Sequence, residues 1–150
     1  MPLVESTVEI AGPIEAVYEL AKDMERYSEY MPDVESVVVA ERRPDRTVTD
    51  WTTHVDGVPI VWKEEDVFDD QARRIRYRLI EGDLDKFEGQ WIFEPASDGT
   101  AGTRVTLTVD FDFGMPTLAE LLGPILEEKV KENSQMMLSA LKAKIEGETK

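Results

Sequence analysis

The sequence predicts an α+β chain, one antiparallel sheet covered by a single long C-terminal helix. Three observations carry this. Period-two segments follow one another from Ser36 to Phe113, with spacings too short for crossover helices. After Gly114 and Pro116 the period changes from two to about 3.6. A sheet with one apolar face needs a cover, and the final helix is the only large element left to supply it.

The elements read in order as follows. LVESTVEI, residues 3–10, is a strand broken by Ala11-Gly12-Pro13. Pro13 suits the first turn of a helix, and Ile14, Val17, Tyr18 and Ala21 follow at helical spacing. MERYSEYM predicts a second short helix, stopped by Pro32. SVVVAE is a strand and RRPDR, residues 42–46, a turn. VTDWTTHV alternates, with Thr49, Trp51, Thr53 and Val55 on one parity and Asp50, Thr52 and His54 on the other. DGVP at 56–59 is a hairpin signal. IVWKEEDVF, RRIRYRLI, KFEGQWIFEP and TRVTLTVDFDF are four more strands, with a turn at SDGTAG, residues 97–102, between the last two. In the third of these, Phe87, Gly89, Trp91 and Phe93 share a parity against Glu88, Gln90, Ile92 and Glu94. In the fourth, Val105, Leu107, Val109, Phe111 and Phe113 form one apolar row. PTLAELLG predicts a short helix that Gly123-Pro124 interrupts, and an amphipathic helix then runs over 124–146. Leu126, Val130, Asn133, Met137 and Leu141 lie along its apolar face, with Met136 and Ala140 beside them.

A chain of 150 residues predicts one domain over 1–150, and 41% hydrophobic residues suffice for a core. The net charge is −15. Such a surface repels nucleic-acid backbones and anionic headgroups over a Debye length of about 8 Å at physiological salt, so no nucleic-acid partner is expected. With no cysteine and one histidine, zinc–thiolate, iron–sulfur and histidine-rich metal sites are excluded, and neither a metal nor a cofactor is expected. There is no GxSxG, P-loop or GxGxxG. The N-terminus carries no basic region followed by an apolar run, and no stretch reaches the roughly 20 apolar residues of a membrane helix. A cytoplasmic location is the expectation.

Two groups stand out chemically. Asn133 places an amide on the apolar helix face, where it needs a partner; it meets solvent or a loop at the edge, or it is the polar group of an interior space. WKEEDVFDDQARRIRYR is ambiguous in register. With Phe68 opposite Arg73, Glu64 faces Tyr77, Asp66 faces Ile75 and both acids point inward. One residue of shift pairs Glu64 with Arg78 and Asp66 with Arg76 on the outside. A bulge would relieve the conflict. His54 falls on the outward parity. The cluster Arg73, Arg74, Arg76 and Arg78 predicts a salt-bridged outer face.

The segment VEIAGPIEAVYELAKDMERYSEYMPDVESVVV, with Ala11-Gly12-Pro13, Asp23, Tyr27, Tyr30 and Pro32, resembles the opening of the helix-grip proteins related to Bet v 1 and START domains. More narrowly, with EGQWIFEP, it resembles the polyketide cyclase/dehydrase and coenzyme-Q-binding group, and the likeness runs from about residue 4 to 145. The resemblance implies a seven-stranded antiparallel sheet curled around the long helix, with an apolar cavity between them. A hydrophobic small molecule, such as a quinone, polyketide or lipid, would bind there, with transient membrane contact. The implied lining is Trp51, Thr53, Val55, Tyr77, Leu79, Trp91, Phe93, Phe111, Phe113, Val130, Asn133 and Met137. Gly89 between aromatics would leave space in it. The family pattern turns Glu64, Asp66 and Phe68 inward, making Glu64 and Asp66 the only catalytic candidates, with an arginine of the 73–78 strand expected to neutralise at least one. Three functions compete: a non-catalytic carrier of a hydrophobic ligand, a polyketide aromatase/cyclase, and a ribosome-associated interaction protein. The aromatase branch carries an arginine on the strand matching VWKEEDVF, and this sequence has none there.

Overall fold

The computed structural model describes residues 3–55, 58–82, 85–96, 101–112 and 116–148, with the side chains of Val55, Val58, 116–124, Leu126 and Glu148 outside the description. Strand β1 (Leu3–Ile10) leads into α1 (Ile14–Lys22), a 3-10 turn (Met24–Arg26) and α2 (Tyr27–Tyr30). Six strands follow: β2 (Val34–Arg43), β3 (Arg46–Val55), β4 (Val58–Asp69), β5 (Arg74–Gly82), β6 (Lys86–Pro95) and β7 (Thr103–Asp112). Helix α3 (Pro116–Glu148) is the last described element. The sheet order is β1-β7-β6-β5-β4-β3-β2, antiparallel throughout. This is the helix-grip α+β fold.

Short connections make each strand from β2 to β7 the antiparallel neighbour of the next, and β1 closes onto β7. Strand β7, paired on both sides, buries a continuous apolar row: Val105, Leu107, Val109 and Phe111. Irregularities in pairing at Val34/Ser36, Val39/Glu41 and Lys63/Glu64 bend β2 to β5, since a bulge raises local twist.

Helix α3 runs unbroken from Pro116 to Glu148, so Gly123-Pro124 does not interrupt it. A proline within a helix removes one i→i−4 bond, and here the backbone on either side continues helical. Its C-terminal half supplies core: Leu138 and Leu141 are fully buried and Ile145 nearly so. The close contacts of α3 with the sheet are to β1 and β7. The turn after β1 is fitted to it. A Cβ on Gly12 would lie 2.5 Å from Ile145 Cγ2. The Ala11 N–H donates to Glu146 Oε2 at 3.0 Å, and Lys142 Nζ donates to the Glu9 carbonyl at 2.6 Å.

The β4–β5 register is neither of the two weighed from sequence. Phe68 pairs with Ile75, Asp66 with Tyr77 and Glu64 with Leu79. The turn explains it: Arg73 adopts φ 53°, and the Ala72 N–H donates to Asp69 Oδ1 at 3.1 Å. A turn over 70–73 thereby closes the hairpin and returns both acids to the inner face. His54 lies on the outer face beside Glu35, Nε2 to Oε1 2.9 Å.

Gly89 does not leave space in the interior. A Cβ there would lie 2.0 Å from the Thr108 carbonyl oxygen and 2.8 Å from the Tyr77 hydroxyl. Tyr77, directly opposite on β5, leans over the glycine and donates to that same carbonyl. The glycine makes room for a protein hydroxyl.

Two stability effects follow. Leu141→Ala should lower unfolding free energy by about 2–5 kcal/mol in urea titration, as for other fully buried leucines; a change near zero would place Leu141 outside the core. Gly89→Ala should cost at least about 2 kcal/mol, because Tyr77 and the β7 backbone must both move, and Tyr77→Phe in that background should recover part of the loss.

Candidate functional site

The inner face of β3 to β7 stands away from α3, and the gap is an apolar cavity of about 190 Å3. The cavity is clad by rings. Trp51 and Trp62 face each other across β3 and β4, as same-face cross-strand neighbours do, and their rings stack at 5.4 Å and 8°. Phe87 packs on Trp62 and on Tyr77. Tyr27, from α2, sets its ring edge-on to Trp51 and tilted on Trp91.

Of the residues expected at the lining, Trp51, Thr53, Tyr77, Trp91 and Phe111 reach the cavity from the sheet. Val130, Asn133 and Met137 reach it from α3. Two expected residues do not. Phe93 is buried against Tyr18, edge to face at 5.3 Å, one step further along β6 than the cavity extends. Leu79, paired with Glu64 next to the β4–β5 irregularity, packs at the core's edge. Val55, Phe113 and Leu126 fall outside the described side chains. Met136 is 43% exposed, and only Met137 of the tandem faces inward. The sequence reading missed Ile60, Trp62, Phe87, Leu107 and Val109, together with Lys129 and Ser134 of α3. Parity was an available signal: Trp62 shares its face with Glu64, Phe87 with Trp91, and Leu107 and Val109 with Phe111.

Glu64 and Asp66 are both turned inward and buried, and Glu64 lines the cavity. Among the described residues no arginine neutralises either, contrary to expectation. The arginines at 74, 76 and 78 occupy the other face of β5, where Arg78 pairs with the outward Glu65 at 3.3 Å. Arg73 pairs with Glu15 of α1. A guanidinium on one face of a sheet cannot reach a carboxylate on the other. Neutral donors serve instead. Trp62 Nε1 donates to Glu64 Oε1 at 2.7 Å. Trp51 Nε1 donates to Thr49 Oγ1 at 2.8 Å, and Thr49 donates onward to Asp66 Oδ2 at 2.6 Å, with Thr47 adding a bond at 3.3 Å. Desolvation pushes the Glu64 carboxyl well above the usual carboxylate range, and the negative charge of Asp66 pushes it further. Asp66 is also raised by desolvation, against the lowering effect of bonds from Glu64, Thr49 and Thr47.

A third buried acid was not foreseen. Asp33, after Pro32 and before β2, is 5% exposed and accepts a hydrogen bond from Asn133 of α3. Asn133 is therefore both a cavity residue and a tie between α3 and the α2–β2 connection. Desolvation raises Asp33 above the ordinary range.

Residues 10–138 match the family model described as polyketide cyclase/dehydrase and lipid transport. A putative polyketide cyclase from Streptomyces cyaneus is 26% identical over 145 residues, covering 95% of this chain and 92% of that protein. Among solved structures, a protein of Thermus thermophilus superposes with TM-score 0.92 at 34% identity, covering 99% of this chain and 100% of that one. The Zhui aromatase/cyclase of Streptomyces sp. R1128 superposes with TM-score 0.88 at 25% identity, covering 99% of this chain and 95% of that one. The match spans far more than half of the sequence, over the same strands and helix that build the cavity, and the chain belongs to the polyketide cyclase/dehydrase and lipid transport family.

Proposed function

We propose that this protein binds a flat, largely apolar small molecule in the cavity between sheet and α3. The observation that carries this reading is an apolar space of about 190 Å3 walled by Trp51, Trp62, Tyr77, Phe87, Trp91 and Phe111. A dry apolar cavity of about 150 Å3 accommodates a benzene ring, so this one suits a single or fused ring. A bulkier polyketide or a lipid tail would need α3 to move outward. The driving force is removal of apolar ligand surface from water, about 25 cal/mol per Å2. Membership of a family described by both cyclase chemistry and lipid transport supports a hydrophobic ligand.

A second reading, acid–base chemistry on a polyketide, draws support from one observation, the buried Glu64–Asp66 pair beside that space. A general acid or base must be held within reach of the reacting group with its affinity for protons shifted toward working pH. A raised Glu64 meets the second condition, and it also serves a carrier, since a neutral carboxyl does not oppose an apolar ligand.

Two outcomes test these readings. Titration with naphthalene, followed by quenching of tryptophan fluorescence, should saturate, and calorimetry should give a negative heat-capacity change. Val130→Phe, which fills the cavity from the helix side, should weaken that binding on the order of tenfold or more, about 1.4 kcal/mol or greater, at little cost in stability; unchanged affinity would move the ligand elsewhere. The second outcome concerns pH. An unfolded carboxyl titrates near 4, whereas Glu64 and Asp66 are raised in the folded chain. From about pH 4 upward the folded state therefore holds protons that the unfolded state has lost, and this contribution to stability is lost as pH rises through the folded values. Glu64→Gln removes the Glu64 share, so its unfolding free energy should gain on wild type between about pH 4 and pH 7. A flat difference would mean that Glu64 ionises normally.

A further inference from the structure

The cavity wall is apolar except at a few points, and Glu64 is the one carboxyl group among its described lining residues. Its hydrogen bonds constrain what it can offer a ligand. Trp62 Nε1 donates to Oε1. Behind it lies Asp66, fully buried, whose Oδ2 is served by Thr47 and Thr49. Among the described residues, Asp66 Oδ1 meets no N–H or hydroxyl donor. A buried carboxylate oxygen without a donor is costly, and Glu64, two residues before Asp66 on the same inner face of β4, is the neighbouring carboxyl. One proton on Glu64, directed at Asp66, satisfies both groups. Burial and the charge of Asp66 push Glu64 in the direction that keeps that proton. A Glu64 carboxyl so engaged has no donor left for the cavity and only lone pairs to present there.

We propose that Glu64 is the specificity-determining acceptor of this cavity, its carboxyl fixed by Trp62 and Asp66 and taking the O–H of a hydroxylated aromatic ring. This rests on the ligand-binding reading above and narrows it. The stacked indoles of Trp51 and Trp62 beside Glu64 favour a flat ring over a flexible chain. At Glu64, a ligand whose polar group only accepts, such as an ether oxygen, would meet lone pairs with lone pairs. Asp66 is a positioning residue, which holds the Glu64 proton away from the ligand.

Three probes of nearly one shape separate the possibilities: naphthalene, 2-naphthol and 2-methoxynaphthalene. Wild type should bind 2-naphthol on the order of tenfold more tightly than 2-methoxynaphthalene, the worth of one buried hydrogen bond. Glu64→Leu should erase that preference while naphthalene still binds. Glu64→Gln should keep most of it, because an amide that donates to Asp66 and presents its carbonyl to the cavity reproduces the protonated acid. Infrared difference spectra should show a protonated-carboxyl band that shifts on 2-naphthol binding and is missing in Glu64→Gln. If naphthalene binds and 2-naphthol is no better than the ether, the inference fails and the cavity reading stands. If no probe binds, both fail. A preference that survives in Glu64→Leu, or that Glu64→Gln abolishes, overturns the role given to Glu64; the latter result, with tighter binding of 2-naphthylmethylamine by wild type, would assign an ionised Glu64 and a cationic ligand instead. Should Glu64→Leu fail to fold, the Glu64→Gln comparison decides alone.

Discussion

The last turns of α3 are held to the turn after β1 by packing and hydrogen bonding at once. Leu138, Leu141 and Ile145 bury themselves against the sheet and α1, and Ile145 sits where Gly12 lacks a side chain. Lys142 and Glu146 close onto the backbone at Glu9 and Ala11. Fixing one end of a stiff rod on β1 and β7 fixes how far the rest of it stands from the curled strands β3 to β6. The cavity is the consequence. A helix lying flat across the whole sheet would have filled that space with its own side chains.

The walls of the gap are built to stay apart. Large rings on facing strands brace one another, Trp51 on Trp62 and Tyr27 on Trp51 and Trp91. Rings placed edge-to-face or stacked are stiff, with few torsions to collapse into an adjacent void. Gly89 takes part by admitting the Tyr77 hydroxyl to the Thr108 carbonyl, which locks the Tyr77 ring against the sheet. On the helix side Asn133, bonded to Asp33, ties α3 to the connection before β2.

Acid is the other constraint. The surface carries most of a net charge of −15, and there Arg78 and Arg73 pair with the outward carboxylates Glu65 and Glu15. Glu64, Asp66 and Asp33 are left inside with neutral donors. Burial without a counter-charge favours the protonated form and raises all three above the ordinary carboxylate range. A carrier and an acid–base enzyme could both be made from such a wall, and family membership spans both kinds of description.

Much of this was legible in the chain itself. Alternation in KFEGQWIFEP and TRVTLTVDFDF, the change of period after Pro116 and the Ala11-Gly12-Pro13 turn determine seven strands, the antiparallel order and the covering helix, because periodicity and turn chemistry are local. Parity alone also placed Trp51, Trp91, Phe111 and His54 on their faces. The β4–β5 register was open in the sequence, and a left-handed Arg73 closed it. Neutralisation of Glu64 or Asp66 by arginine was expected from charge and fails, because the sheet separates the two sets. The role of Gly89 depended on Tyr77 across the strand, and the continuity of α3 through Gly123-Pro124 overrode a local breaker. The extent of the cavity, which admits Trp62 and Phe87 and leaves out Phe93 and Leu79, is set by where α3 comes to rest. That position is a sum of contacts between residues more than a hundred apart in sequence, Gly12 and Ile145 among them, and no local pattern encodes it.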